Sequence, residues 1–347
     1  MLRLPVQVCL CLLAAFCCSG FSQAPAPLPS DPAALMELAH NKNGLAGPGI
    51  RPWHVHGTFR SYDEKGKSEN EGIYEEWWLS PSRYKRSFSS SSLTQTDIAD
   101  GTDLFRDGQQ DWPHGDEIAL RERLINPVLS DDALKPYTLQ ERTQPAGSSK
   151  AVCVLMLYPV RANLNLSSDY FPVSCFESTI PLLRVSSTGR STKVIYDQFV
   201  NFQGHYFAKK VQIYAGTKLQ AELTLDAVKL IANPSDQILV PSASAKKVDL
   251  SNIFFTASVG QRYPTILKMA FPEYPAGAKS SRIQGTVVLR ASINKDGHLV
   301  SAKVISGPPA LRQTSLDAVK QWIYLPPEVL GERRSFEIEI KVIFTLA

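Results

Sequence analysis

The stretch that decides the fold runs Ile283-Gln-Gly285-Thr-Val287-Val-Leu289-Arg-Ala291-Ser-Ile293-Asn294-Lys-Asp-Gly297. Its apolar and small residues fall on alternate positions, so they line one face of a strand. Asn294 to Gly297 turns the chain, with Gly297 free to take positive φ. Val300, Ala302 and Val304 then form the second strand of a hairpin. Gly307-Pro308 stops that strand, and Pro309 suits the first turn of a helix. Leu311, Ser315, Ala318, Val319 and Trp322 share one helix face. Burial of Trp322 on the hairpin is expected to be the largest single contribution, about 150–250 Å² for an aromatic side chain. Pro326-Pro327 ends the helix. Finally Phe336, Ile338, Ile340, Val342, Phe344 and Leu346 alternate with Glu337, Glu339 and Lys341, the cleanest period-two run in the chain.

The order strand, strand, helix, strand, with Tyr274-Pro275, Gly285, Gly297, Leu311, Ala318-Val319, Trp322 and Pro326 at their spacing, resembles the TonB C-terminal domain family. The resemblance covers residues 262–347 and implies a small α+β domain (β-β-α-β) that binds and carries no chemistry of its own. In that family the last strand lies at a sheet edge and takes up an extended partner segment by strand addition. By analogy Phe336, Glu337, Ile338, Glu339, Ile340, Lys341 and Val342 are the expected partner-binding edge. The region is basic, with 12 Lys and Arg against 7 Asp and Glu from Arg262 onward, which suits steering of an acidic segment.

Outward from this region, the 347 residues allow two domains. Hydrophobic content of 44% and charged content of 20% are those of a globular chain. The net charge of +4 does not point to nucleic acid. Arg3 and the apolar run from Val6 to Cys18 read as a secretory signal over residues 1–24, too short to span a bilayer as a helix. Cleavage after Ala24 or after Gly20, lipidation, and retention as a short anchor all stay open. Of six cysteines, four lie in that signal. The remaining pair, Cys153 and Cys175, reads as a disulfide in an oxidising compartment, with two buried thiols as the alternative.

Residues 25–49 read as a linker and a short helix (Ala34 to Ala46). From Trp53 the pattern is strand-like: His54–Ser61, a charged turn at Asp63–Glu71, Tyr74–Leu79, Tyr84–Phe88, Thr94–Ile98 and Asp103–Arg106. A helix is expected at Ile118–Leu129. Strands resume at Tyr137–Glu141, Ala151–Tyr158, Val173–Glu177, Leu182–Ser187, Thr192–Phe202, Tyr206–Ala215 and Lys218–Leu230. Residues 50–240 thus read as one large antiparallel β-rich domain of roughly ten strands, and the breaker-rich residues 241–261 as a linker.

Trp77-Trp78-Leu79-Ser80-Pro81-Ser82-Arg83-Tyr84-Lys85-Arg86, Asp100-Gly101-Thr102-Asp103-Leu104-Phe105 and Asp236-Gln237-Ile238-Leu239 carry a loose resemblance to LolA/LolB-type periplasmic carriers. That family implies an incomplete, half-barrel-like sheet with a helical lid that holds a lipid or a lipidated chain. A closed β-domain whose aromatics are simply core is the other reading.

Other candidates read as structural. His54-x-His56 shares a strand face without a third metal ligand. Trp112-Pro113-His114-Gly115-Asp116 has a His and acids but no nucleophile motif. Glu75-Glu76 and Asp131-Asp132 read as solvated acids, and Arg83, Lys85 and Arg86 as solvated strand charges that could also meet anionic lipid. No cofactor, metal or catalytic residue is expected. The expectation is therefore a non-enzymatic periplasmic binding protein of a Gram-negative bacterium. Its partner would be an outer-membrane or envelope protein segment, its N-terminal domain would bind lipid or lipoprotein, and a homodimer through the C-terminal domain stays open. The alternative is an anchored TonB-type component of energy-coupled outer-membrane transport, against which stand the short N-terminal segment and the short linker.

Overall fold

A computed structural model describes residues 27–63, 65–110, 115–146, 149–158, 171–188, 192–251, 253–255, 264 and 266–346. The expected signal, residues 1–24, and the His114 loop lie outside the described residues.

Asp31 caps the first helix, α1 (Pro32–Lys42), by accepting from the Ala34 amide at 3.2 Å, with Pro32 in the first turn. Alternating sequence then produces five strands: β1 (Trp53–Tyr62), β2 (Ser68–Ser80), β3 (Arg83–Ser90), β4 (Thr94–Asp100) and β5 (Leu104–Gly108). The charged turn is shorter than expected. β2 begins at Ser68, because the Asp63 side chain closes the turn on the Lys65 and Lys67 amides and leaves the next residues free to pair.

Helices α2 (Gly115–Ile125) and α3 (Asp131–Leu134) precede β6 (Thr138–Ala146), β7 (Ser149–Leu157), β8 (Val173–Glu177), β9 (Leu183–Ser187), β10 (Thr192–Phe202), β11 (His205–Ala215) and β12 (Lys218–Leu230). The expected helix thus starts three residues early and ends at Ile125. A 3-10 turn follows at Asp236–Leu239, then β13 (Lys246–Lys247).

Every pairing in this sheet is antiparallel, in the order β13-β5-β4-β3-β2-β1-β12-β11-β10-β9-β8-β7-β6. Its two terminal strands, β13 and β6, do not pair, so the sheet is open rather than a closed barrel. Helices α1 and α2 lie on one face, against β11 and its neighbours. Leu35, Met36, Leu120 and Leu124 there join Trp53, Phe59, Phe88, Phe176 and Phe207 in the core. Cys153 and Cys175 stand directly opposite each other on β7 and β8 and are joined in a disulfide.

A second sheet forms from β14 (Phe254–Phe255), β16 (Gly285–Ile293), β17 (Leu299–Ser306) and β21 (Phe336–Phe344), in the order β14-β21-β16-β17. Between its strands lie β15 (Ile266–Lys268), α4 (Ala276–Ser280), α5 (Pro309–Val319), β18 (Ile323–Tyr324) and the hairpin of β19 (Glu328–Val329) with β20 (Glu332–Arg333). The segment 241–261, expected to be a plain linker, contributes one short strand to each sheet: β13 pairs with β5, and β14 with β21.

The two parts touch along one seam. The β19–β20 hairpin turns through Leu330 (φ 58°) and Gly331 (φ 74°), the two positive-φ positions of a primed two-residue turn. Gly331 lies against Pro81, where an added Cβ would come within 3.0 Å. The Tyr137 hydroxyl donates to the Leu267 carbonyl, and Arg333 reaches Ser130 Oγ at 3.5 Å. No helix among the described residues is long and apolar enough to cross a membrane.

Candidate functional site

The small sheet buries one face under α5. Val287, Leu289, Ala291 and Ile293 of β16 and Phe336, Ile338, Ile340, Val342 and Phe344 of β21 are all buried, as the period-two pattern requires. Leu311, Ala318 and Val319 cover them from α5, and Ser315 is buried there by donating to the Leu311 carbonyl at 2.7 Å. The helix ends at Val319, so Trp322 sits just beyond it, buried, with its indole N–H on the Ala270 carbonyl at 2.8 Å.

Each family anchor has a physical task. The Tyr274 hydroxyl donates to the Ile283 carbonyl at 2.5 Å and its ring meets Phe344 edge-on at 5.4 Å. Pro275 stands at the N-cap of α4. Gly285 opens β16, and Pro326 is buried beside the hairpin. Gly297 (φ 86°) accepts from the Tyr324 amide at 2.9 Å, and a Cβ there would lie 1.9 Å from the Tyr324 carbonyl oxygen. Only glycine allows that approach.

β21 pairs with β16 over nine positions, from Gly285↔Phe344 to Ile293↔Phe336. Its outward row is Glu337, Glu339, Lys341 and Ile343. Glu337 accepts from Ser292 Oγ at 3.3 Å, and Glu339 stands opposite Arg290. The expectation that this strand is a bare sheet edge needs correction at its start. Phe254 and Phe255 run parallel to it, opposite Glu337 and Ile338, and the Glu337 amide donates to the Ile253 carbonyl at 2.8 Å. A bulky apolar run at residues 253–255 supplies the reason. Ile253 and Phe255 are 1% and 6% exposed, and Phe255 meets Phe336 edge-on at 5.7 Å. Over Glu339 to Phe344 no strand is described on that side.

In the large sheet the sequence candidates are held structurally. His54 pairs with Glu75 at 2.8 Å and stacks on Trp77, and His56 pairs with Asp226 at 2.9 Å. Among the described residues, no group of three or more His, Cys, Asp or Glu could hold a metal ion. Asp132 is exposed and pairs with Lys135 at 2.6 Å. Arg83 pairs with Asp236, and Lys85 lies over the Trp77 ring at 5.4 Å.

Two expectations of solvated charge are overturned. Glu76 is fully buried, because it shares the inward parity of Tyr74 and Trp78, and Arg86 faces inward from the same position of β3. Around them the sequence reading missed a ladder of alternating charge across four adjacent strands. Glu76 stands opposite Arg86, Arg86 opposite Asp97, and Asp97 opposite Arg106. Arg121 of α2 closes it with a two-pronged grip on Glu76 at 2.8 and 2.7 Å, and the Tyr74 hydroxyl donates to the same carboxylate at 2.5 Å. Asp97 takes bonds of 2.6 and 3.0 Å from Arg106 and 2.8 Å from Arg86.

Burial alone would raise the Glu76 carboxyl, but the charge and hydrogen bonds of Arg121, then Arg86 and Tyr74, more than offset it and hold it below the usual carboxylate range. Asp97 is held low in the same way, burial being outweighed by Arg106 and Arg86. The Tyr74 hydroxyl is pushed well up, by burial first and by Glu76 next. The one sequence signal for the ladder was parity: Glu76 falls two residues from Tyr74 and from Trp78.

Residues 270–346 match the family model described as Gram-negative bacterial TonB protein C-terminal. Protein TonB of Vibrio cholerae serotype O1 is 32% identical over 77 residues, a stretch that is 22% of this chain and 32% of that protein. This chain therefore spans about a third of that relative's length. Among solved structures, a LolA superfamily protein from Nitrosomonas europaea is similar at a TM-score of 0.42 and 11% identity, covering 61% of this chain and 99% of that one. A putative outer membrane lipoprotein-sorting protein domain from Vibrio parahaemolyticus gives 0.39 and 6%, covering 59% and 94%. By its anchors, its element order and its sequence matches, the stretch 270–346 of this chain is similar to the TonB C-terminal family.

Proposed function

We propose that this chain is a non-enzymatic binding protein of the Gram-negative cell envelope, exported to the periplasm. Residues 262–347 would form its partner-binding unit and residues 50–240 a second, β-rich unit. The C-terminal domain captures an extended segment of an outer-membrane or envelope protein by strand addition along β21, with Glu337, Glu339 and Lys341 facing outward beside it. The observation that carries this reading is the TonB-family match over residues 270–346, which ends on a nine-residue strand, Phe336–Phe344. Strand addition supplies main-chain hydrogen bonds for affinity and alternate side chains for specificity.

For the large sheet we propose binding of a lipid or a lipidated chain on the face that α1 and α2 cover. Leu35, Met36, Leu120 and Leu124 are buried there, so an acyl chain enters only if a helix lifts.

Site-specific photo-crosslinking tests the main reading. A photoreactive residue at Lys341, placed in the full chain in cells, should join one defined outer-membrane or envelope protein. The same residue at Ser89 of the large sheet should not join it. Cross-linking of that protein at Ser89 and not at Lys341 would refute capture by β21. Native mass spectrometry of the same protein tests the second reading: an acyl-chain adduct is expected, and a bare mass counts against it.

A further inference from the structure

The short strand β14 sits where the proposed partner segment would begin. It runs parallel to β21, and it places Ile253 and Phe255 in buried positions with Phe254 between them, half-buried. The ring of Phe254 lies against the Arg290 guanidinium at 5.1 Å on the outward side of the sheet, while Phe255 meets Phe336 on the inward side. This alternation of side chains is that of an added strand. Among the described residues it holds two register positions, Phe254 opposite Glu337 and Phe255 opposite Ile338.

We propose that Ile253–Phe255 is a built-in occupant of the β21 edge. A partner reaches Glu337 and Ile338 only by displacing it, with an extended segment that runs parallel to β21 and carries bulky apolar residues at two alternate positions. This rests on the reading of β21 as the capturing strand. It adds that the free protein is self-capped, and it states the chemistry of the segment that uncaps it. Small or charged side chains at those two positions would leave the sockets of Ile253 and Phe255 unfilled, so such segments are rejected.

The test uses the full chain and a fluorescein-labelled synthetic peptide of sequence LSNIFFTA, the chain's own residues 250–257. Phe255→Ser empties one of the two sockets. The expected result is that the variant binds the peptide at least tenfold more tightly than the wild type. Hydrogen–deuterium exchange should show the Glu337 and Ile338 amides exchanging faster in the variant and protected again by saturating peptide. Equal peptide binding by both proteins, or unchanged exchange at Glu337 and Ile338, would overturn the proposal. If Phe255→Ser lacks a cooperative thermal transition, Phe254→Ser, which removes only a half-buried ring, carries the same test. Failure here with the Lys341 cross-link intact would remove the self-cap and leave capture by β21 standing, whereas loss of that cross-link would remove capture itself.

Discussion

Replacing Glu76 by Gln keeps the volume of the side chain and removes one charge from the buried ladder. In the native protein that carboxylate answers two guanidinium bonds from Arg121 and the Tyr74 hydroxyl, and it stands opposite Arg86. The ladder then holds three arginines against Asp97, with Glu122 still pairing with Arg121 at 2.8 Å. Removing one partner of a buried pair costs about 3–5 kcal/mol, because the other charge stays behind without compensation. Gln still accepts one hydrogen bond, which places the expected loss near the lower end, about 3 kcal/mol. Set against about 5–15 kcal/mol for a whole domain, this is a large fraction. With a urea m-value of about 1–3 kcal/mol/M, the midpoint should fall by about 1–3 M. Tryptophan fluorescence reports the transition, since Trp53 and Trp78 stack at 5.6 Å in the same sheet. The double substitution Glu76→Leu with Arg121→Met removes both partners and should lie closer to the wild type than Glu76→Gln does. A Glu76→Gln loss below about 1 kcal/mol, at unchanged m, would refute the claim that this charge is buried and paired.

Three further outcomes are expected. Glu76 and Asp97 titrate below their unfolded values of about 4.3 and 3.9, so their stabilisation is fully present above those values and is lost as pH falls through the lowered folded ones. Urea midpoints should therefore fall steeply below about pH 4, and the wild-type advantage over Glu76→Gln should shrink there. Opening the Cys153–Cys175 disulfide, which closes a separation of 22 residues, should cost about 3 kcal/mol in the chain-entropy model, read as a lower urea midpoint for the double Cys→Ala variant. Gly297→Ala should lower the thermal midpoint of the C-terminal domain: it adds about 1–2 kcal/mol of left-handed strain and drives a methyl into the Tyr324 carbonyl. The effect should be larger than that of Gly277→Ala, where an added Cβ meets nothing within 4 Å.

Much of this architecture was legible because it is periodic. β10 and β12 run over Thr192–Phe202 and Lys218–Leu230, the bounds that alternation and turn residues set. The C-terminal order was legible through punctuation: Gly297 and Pro309 mark a turn and a helix start that backbone sterics impose, whereas the helix stops at Val319, well before the Pro326 expected to end it. The Cys153–Cys175 disulfide is the pairing expected for an exported chain, with two buried thiols as the other reading of the sequence. What stayed hidden was long-range or too short to show a period. Arg121 lies 45 residues from Glu76 in sequence, and Trp77 beside Trp78 left the inward face of β2 ambiguous, so Glu76 read as solvated. β13 is two residues long and β14 is described over two, and a pair of residues has no period to detect. The partly occupied edge of β21 was hidden for that reason.

The ladder of alternating charge also works as a memory of alignment. Slide β3 by two residues along β2 and every inward side chain still points inward, but Glu76 would face Tyr84 or Phe88, and Arg86 would face Trp78 or Tyr74. Aromatic neighbours alone would accept either slip, since one ring packs on another about as well. The charges refuse it, because each misaligned state strands an ion among rings. The same veto repeats between β3 and β4 and between β4 and β5. Four strands are thereby told where to stop during folding.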